Sequence, residues 1–215
     1  MKYPILYSFR RWPYAIRARL ALSYIDFNFE HREIHLKNRP NELYAISPKG
    51  TVPVLHLNET TVLDESLDII LWSNDNYSNQ NLLNINSKKQ IQIIQENDSE
   101  FKYWLDRYKY FDRYPKHTKD YYLKKSSIFL KKIDQYLENS QYVFGNKIQI
   151  IDLAIFPFIR QFANVDFDLF NTNFANIIKW YEKIVNSKRF TSIMKKYEFW
   201  SNDNQPLINN LYQQH

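Results

Sequence analysis

The sequence predicts two domains of different class, an α/β domain over residues 1–78 and an all-helical domain over residues 87–215. Three observations carry this prediction. Short strand-like and helix-like segments alternate in the first part, with Pro opening one helix and one strand. Residues 78–86 are polar, rich in Asn and without periodicity, as is typical of a domain boundary. Beyond Ser87, every periodic segment is helical.

The α/β domain begins with a strand, a helix and a second strand. Residues 3–8 and 27–36 are strand-like, and Pro13 suits the first position of a helix reaching Tyr24. A crossover of this length joins parallel strands, so these elements form a βαβ unit. A short helix or turn, a hairpin and a helix then follow at residues 41–46, 54–63 and 65–77. The domain therefore has a βαβ-ββα order.

The second domain is predicted to hold five helices. Turn signals at Pro115, Gly145 and the Asn171-Thr172-Asn173 stretch separate them. The predicted helices cover residues 88–113, 118–139, 150–163, 174–186 and 187–197.

Composition excludes several kinds of chemistry. The 215 residues include no Cys, which removes disulfides, protein thiolate nucleophiles and Cys-ligated metal sites. The two Gly residues, Gly50 and Gly145, lie too far apart to form a Gly-rich phosphate loop. The five His residues form no HExxH motif, so we expect no metal cofactor.

Charge and hydropathy favour a cytoplasmic protein without a membrane or nucleic-acid partner. No signal region opens the sequence, and no apolar run approaches the ~18 residues of a membrane span. The net charge of +6 lies wholly beyond residue 80, which leaves a nucleic-acid-binding helical domain as a remote alternative. The Lys pairs there are scattered beside acidic residues, which indicates solvated faces.

Two predicted helix starts are candidate anion sites. At the first, following Tyr7 and Ser8, the positive end of the helix dipole with Arg10 and Arg11 would favour an anionic sulfur. The alternative is an ordinary strand-to-helix turn. At the second, Asp64-Glu65-Ser66, a hydroxyl and backbone N–H groups would hold a carboxylate while Glu65 pairs with an ammonium group. The same residues could also form a routine helix cap.

Three further features have a functional and a structural interpretation. The Val52–Pro53 bond, between a Gly turn and a strand, is a candidate cis peptide. Lys37 could pair with another carboxylate or be merely solvated. An aromatic stretch could line an apolar substrate cleft or belong to the core. It comprises Phe101, Tyr103, Trp104, Tyr108, Tyr110, Phe111 and Tyr114.

The order and spacing of these features resemble one family. The sequence resembles bacterial glutathione S-transferases near the omega class in the motifs YSFRRWPYAIRARL at 7–20, SPKGTVPVL at 47–55 and DESLDI at 64–69. In the helical part, LDRYKY at 105–110 and IDLAIFPFIRQF at 151–162 also resemble that family. The resemblance covers nearly the full length.

The resemblance implies a thioredoxin-like first domain, a homodimer and glutathione as cosubstrate. Glutathione would be bound by the backbone around Val52 and Pro53, with Glu65, Ser66 and Lys37. Asp152 would belong to a helix-capping box, with Gln149 in place of the usual Ser or Thr. Trp12 stands where omega-like relatives carry the nucleophilic Cys.

The expected function is therefore a glutathione transferase that conjugates the glutathione thiolate to small apolar electrophiles. The Tyr7 or Ser8 hydroxyl, the helix N-terminus and nearby Arg residues could activate the thiol, with Trp12 beside the sulfur. The alternative is a non-catalytic binding or scaffold protein that kept the fold.

Overall fold

The computed structural model describes residues 2–25, 27–76 and 88–210. It forms two compact units, Met1–Asn81 with Asn186–His215, and Leu82–Val185. The predicted boundary segment, residues 78–86, lies outside the described residues. The predicted helical domain, 87–215, included the residues after Val185, which the structure groups with the first unit.

The first unit is built on a mixed sheet of five strands: β1 (Ile5–Ser8), β2 (Asn28–Glu33), β3 (Val54–Asn58), β4 (Thr61–Leu63) and β5 (Ile208–Asn210). The strand order is β4-β3-β1-β2-β5. β1 and β2 are parallel, as the crossover predicts, and the other pairs are antiparallel. The predicted class, an α/β domain followed by helices, is confirmed.

Three helices of this unit are α1 (Pro13–Leu22), α2 (Asn41–Ile46) and α3 (Ser66–Asn76). Successive residues of β1 point to opposite faces of the sheet. On one face Tyr7 packs in a buried cluster with Leu43 of α2. On the other face Ser8 contacts Arg19 of α1. The sheet is thus covered on both faces by helical side chains.

The second unit is built from six helices within its described residues: α4 (Lys88–Glu96), α5 (Lys102–Lys109), α6 (Lys119–Leu137), α7 (Ile150–Ala163), α8 (Phe167–Asn173) and α9 (Ala175–Val185). A π-helical turn at Asn97–Phe101 and a 3-10 turn at Phe111–Arg113 interrupt the single helix predicted over residues 88–113. Of the helices that the structure describes, none is both long and apolar enough to cross a membrane.

The prediction of a turn at residues 171–173 was wrong, because these residues end α8. The Asp166 side chain begins this helix by accepting the Leu169 backbone N–H at 3.0 Å. The Asn171-Thr172-Asn173 sequence is a poor helix former on its own. Their helical conformation is stabilised instead by the Asp166 cap and by the packing of Phe170, which is fully buried.

Asp152 organises the start of α7. Its carboxylate accepts the backbone N–H groups of Gln149 at 2.8 Å and Val143 at 3.0 Å, and the Trp180 indole N–H at 2.8 Å. Burial raises the pKa of Asp152 to about 6 against these donors, which lower it. The Gln149 side chain links this helix start to α4, because its amide oxygen Oε1 accepts a hydrogen bond from Gln90 Nε2 at 2.6 Å. Asp152 therefore joins three segments of the helical unit.

The segment after Val185 corrects the expectation that only helices follow Ser87. After α10 (Lys188–Ile193) no further helix lies in the described residues, and β5 pairs antiparallel with the edge of β2. The Trp200 N–H donates to the Glu33 C=O at 2.7 Å. The short Ile-Asn-Asn segment has no local strand signal, so the edge that it pairs with decides its conformation.

Candidate functional site

The N-terminus of α1 follows β1 and a short loop. Trp12 precedes the helix, and its C=O accepts the first helical hydrogen bond, from Ile16 at 2.9 Å. The indole makes no side-chain cap and is 40% exposed. Pro13 at the first helical position has no N–H to satisfy. The Trp12 ring therefore stands exposed at the positive end of the α1 dipole.

Two buried charged side chains hold this loop. Arg19 donates to the Arg10 C=O at 2.6 Å and to the Ile193 C=O at 3.1 Å. Glu33 accepts the Arg10 backbone N–H at 2.6 Å and contacts His31 Nε2 at 3.1 Å. Burial lowers the pKa of Arg19 to about 10, so it still carries its charge at neutral pH. No local sequence pattern marks an inward-facing Arg, so this role of Arg19 could not be predicted.

The structure places Tyr7 and Ser8 on opposite faces of β1. The Tyr7 hydroxyl accepts from Arg32 Nη1 at 2.8 Å, and burial raises the pKa of Tyr7 above its usual value. The Ser8 hydroxyl is fully buried and accepts from Arg19 Nη1. Both hydroxyls are thus engaged with guanidinium groups, and the raised pKa of Tyr7 opposes a phenolate.

The turn before β3 brings Val52 and Pro53 to the sheet. Gly50 has φ +60, and a Cβ there would lie 2.3 Å from the Tyr44 ring, so another residue would have to displace that ring and adopt a backbone conformation that favours Gly. The Gly50 N–H donates to the Ser47 C=O at 2.9 Å. The Val52–Pro53 peptide bond, which the sequence marks as a candidate cis bond, is cis. Both residues are buried beside β3.

At the start of α3, acidic and hydroxyl groups converge. The Glu65 C=O accepts the first helical hydrogen bond. The Ser66 hydroxyl, nearly buried, accepts from Arg17 Nη1 at 3.3 Å, and Arg17 is itself fully buried on α1. Lys49 contacts Asp64 at 3.1 Å and Glu65 at 2.6 Å. The helix start thus presents a hydroxyl backed by a guanidinium group, with two carboxylates beside it.

Lys37 lies apart from this group in the turn after β2. Its backbone N–H donates to His35 Nδ1 at 3.2 Å, and its side chain is exposed. Two residues on, Arg39 is half-buried, and its Nε is a buried donor without a hydrogen-bond partner. A buried donor without a hydrogen-bond partner costs free energy. Of the two cations, Arg39 is therefore the better candidate to bind a carboxylate. Arg39 could not be predicted because its local sequence is that of an ordinary surface residue, whereas Lys37 was implied by the family resemblance.

The described residues contain no group of three or more His, Asp or Glu side chains arranged to hold a metal ion.

The fold and the site define a class: a thioredoxin-like sheet with a cis-Pro before β3, and a helical second unit. The family models agree with this class. The glutathione S-transferase N-terminal domain matches residues 6–81 and the C-terminal domain matches residues 98–196. The protein belongs to the glutathione S-transferase family.

Curated relatives of similar sequence include human glutathione S-transferase omega-2, 34% identical over 77 residues. That match covers 36% of this chain and 32% of the relative, so it spans about a third of the relative's length. The rat omega-2 protein is 39% identical over 62 residues, 29% of this chain and 25% of the relative. Each of these two matches thus spans about a third of this protein.

Solved structures match nearly the whole protein. A glutathione transferase family member from Pseudomonas fluorescens with two glutathione bound has a TM-score of 0.76 and 18% identity, covering 90% of this chain and 92% of that one. The transferase URE2P6 from Phanerochaete chrysosporium, in complex with oxidized glutathione, has a TM-score of 0.77 and 17% identity, covering 89% and 94%. At these identities the likeness shows the shared fold.

Proposed function

We propose that this protein binds glutathione in its first unit and conjugates the glutathione thiolate to small apolar electrophiles. The observation that carries the proposal is the α3 start, where the Ser66 hydroxyl is backed by the buried Arg17 beside Asp64 and Glu65. Structural relatives crystallised with glutathione support this choice of ligand. By the same family likeness we place the protein in the cytoplasm as a homodimer.

The γ-glutamyl end of glutathione carries one carboxylate and one ammonium group. The carboxylate accepts from the Ser66 hydroxyl and from backbone N–H groups of the first turn of α3, where the helix dipole favours an anion. The ammonium group pairs with Asp64 or Glu65. Lys49 now neutralises both acids, but it is half exposed and its ion pairs are weak, so it moves aside at little cost.

The remainder of glutathione lies along the cis-Pro turn. The Val52 backbone pairs with the peptide part of the ligand, and the glycine carboxylate meets a cation after β2. Lys37 is the cation that the sequence suggests, whereas Arg39 has the unpaired buried Nε. Lys37→Gln and Arg39→Gln therefore form a matched pair. The variant that weakens glutathione binding about tenfold or more identifies the partner.

Thiol activation rests on the α1 N-terminus. Because the Tyr7 and Ser8 hydroxyls accept from Arg32 and Arg19, we assign the lowering of the thiol pKa chiefly to the α1 dipole and to the guanidinium charges nearby. The thiol releases its proton to solvent, the sulfur forms a bond to the electrophilic carbon, and the leaving group departs with its electron pair. The protein has no Cys, so it forms no mixed disulfide with glutathione.

A second function is favoured by Trp12, whose ring is exposed at the helix end where the thiol would lie. In that case Trp12 fills the sulfur site, and the protein is a non-catalytic binding or scaffold protein. The two functions predict different effects on glutathione binding when Trp12 is replaced by a smaller residue.

Glutathione conjugation to an aryl halide separates them. The transferase proposal expects the unmodified protein to raise the rate above the uncatalysed reaction, in proportion to protein concentration. The scaffold alternative expects no activity, with glutathione binding appearing only in Trp12→Ala. Trp12→Phe, which keeps an aromatic ring, is the control for loss of bulk.

A further inference from the structure

A cavity of 560 Å³ lies between the turn after β2, α2 and the segment that follows α10. Residues 199–202 of that segment form one of its walls, and we call them the C-terminal strap. The strap is held on the sheet, because the Trp200 N–H donates to the Glu33 C=O at 2.7 Å. The other wall includes Arg39, whose buried Nε has no hydrogen-bond partner. The cavity therefore adjoins the cation that could meet the glycine carboxylate of glutathione.

The cavity is larger than a glycine carboxylate requires. Pockets of about 300–1,000 Å³ hold whole small molecules, and this cavity has a volume of 560 Å³. A carboxylate bound to Arg39 would occupy only a small part of it. The C-terminal residue of a bound tripeptide could therefore carry a side chain that extends through the rest of the cavity, toward the C-terminal strap.

Aromatic rings and one carboxylate line that part of the cavity. The Phe199 ring is 51% exposed and packs edge-on against His35, with ring centroids 4.9 Å apart at an angle of 83°. Trp200 lies beside it on the strap. Glu42, on α2, is the only acidic residue among the described lining residues. Aromatic rings pack along methylene groups and attract a cation to their faces, so this wall suits a long basic side chain.

The Glu42 carboxylate is held by a neutral donor. Its Oε1 accepts from the Asn202 amide of the strap at 2.7 Å, and this hydrogen bond lowers the pKa of Glu42, so the carboxylate is ionised at neutral pH. The Arg32 guanidinium, whose charge also acts on Glu42, pairs with Glu30 at 2.6 Å. Arg39 would be occupied by the terminal carboxylate of the ligand. Glu42 is thus left with a negative charge that a cation of the ligand can balance.

We propose that this protein prefers, over glutathione itself, a γ-glutamylcysteinyl tripeptide whose third residue is basic, and that the strap and Glu42 select it. The inference rests on the proposed binding of glutathione in the first unit and names the ligand that this site prefers. The terminal carboxylate meets Arg39, as proposed for glutathione. The basic side chain lies along the Phe199 and Trp200 rings, and its ammonium group pairs with Glu42.

Calorimetric titration of the full-length protein with three reduced tripeptides tests this preference. All three begin with γ-glutamylcysteine, and they end in lysine, norleucine or glycine, the last being glutathione. We expect the lysine peptide to bind about three- to tenfold more tightly than the norleucine peptide, because an exposed ion pair and a cation–π contact each contribute modestly. The norleucine side chain is of similar length without the charge, so that peptide should bind at least as tightly as glutathione.

Three variants assign the preference to the cavity. Glu42→Gln should bring the ratio of the dissociation constants for the lysine and norleucine peptides to about one. Glu59→Gln, which changes an exposed acid in the turn between β3 and β4 that does not line the cavity, should leave this ratio unchanged. Phe199→Ala removes an exposed ring and so spares the fold. It should lower the affinity for both longer peptides toward that for glutathione.

Equal affinity for the lysine and norleucine peptides would overturn the inference. A ratio that survives Glu42→Gln, or tighter binding of glutathione than of the lysine peptide, would also overturn it. In these cases glutathione still binds and the proposed function stands, so the two failures are distinguishable. Absence of binding by all three peptides at millimolar concentration would contradict both.

Discussion

Replacement of Ser66 by Ala tests the carboxylate end of the proposed glutathione site. The hydroxyl lies at the first residue of α3 and accepts from Arg17 at 3.3 Å. In the complex it would donate to the ligand carboxylate, and a hydrogen bond to a charged group contributes about 1.5–3 kcal/mol. The dissociation constant for glutathione should therefore rise roughly 10- to 150-fold in Ser66→Ala.

Ser73→Ala is the matched control. Ser73 lies on the same helix, is fully buried, and donates to the Ile69 C=O at 2.7 Å, so this variant also loses a buried hydroxyl. We expect Ser73→Ala to bind glutathione like the unmodified protein. Calorimetric titration of both variants, with circular dichroism to check folding, measures the difference. Wild-type affinity in a folded Ser66→Ala protein, or equal losses in the two variants, would refute the assignment.

Three more predictions concern other parts of the molecule. Trp12→Cys should be glutathionylated by oxidised glutathione and gain thiol-transferase activity, because a thiolate is stabilised at a helix N-terminus. Mass spectrometry follows the glutathionylation, and a reaction no faster than that of a free thiol would contradict this prediction. Asp152→Asn should lower the free energy of unfolding, measured in urea, by about 1–3 kcal/mol, because the new amide N–H₂ would face an N–H donor. The exposed Asp168→Asn is the control and should change the free energy of unfolding by less than about 1 kcal/mol. Similar effects of the two variants would argue against the Asp152 network. Burial lowers the pKa of His31, so as pH falls the unfolded protein takes up a proton on this imidazole before the folded protein does. The free energy of unfolding should therefore decrease as pH drops below about 6.5. His31→Gln should make this dependence on pH less steep in urea titrations, and an unchanged dependence would assign it to other groups.

The parts of the fold that local chemistry specifies could be predicted from the sequence. Pro13 opens α1, and the predicted α7 has the observed bounds, Ile150–Ala163. In each case the signal lies within a few residues, as a Pro at the first helical position or a predominantly apolar segment of helical length. The positions of Trp12 and Ser66 at helix starts followed from the same kind of signal.

The parts that depend on distant contacts could not be predicted. β5 is a strand because β2 has a free edge, and α8 is a helix because Phe170 is buried and Asp166 caps it. The aromatic stretch shows the same limit. Tyr108 is in the core, whereas Trp104, four residues earlier on α5 and so on the same side of the helix, lines a cavity. Helical spacing gives the face of a residue but not the neighbours it meets.

The candidate site shows this limit most clearly in its arginines. Arg17 and Arg19 are both buried on α1, one behind Ser66 and the other behind the loop before the helix. From a sequence alone, an Arg residue is expected to be exposed, because a buried Arg must have its charge paired or hydrogen-bonded inside the protein. Their partners lie on other elements, so only the tertiary structure reveals them.

Calorimetric titration of the unmodified protein with reduced glutathione tests directly whether the first unit binds glutathione. In the proposed site the Ser66 hydroxyl, backed by Arg17, and the α3 dipole would hold the ligand carboxylate, so we expect saturable one-to-one binding at sub-millimolar concentration. We also expect glutathione lacking the γ-glutamyl residue, the dipeptide cysteinylglycine, to bind far more weakly. Absence of binding at millimolar glutathione, or equal affinity for the dipeptide, would contradict the proposed glutathione site.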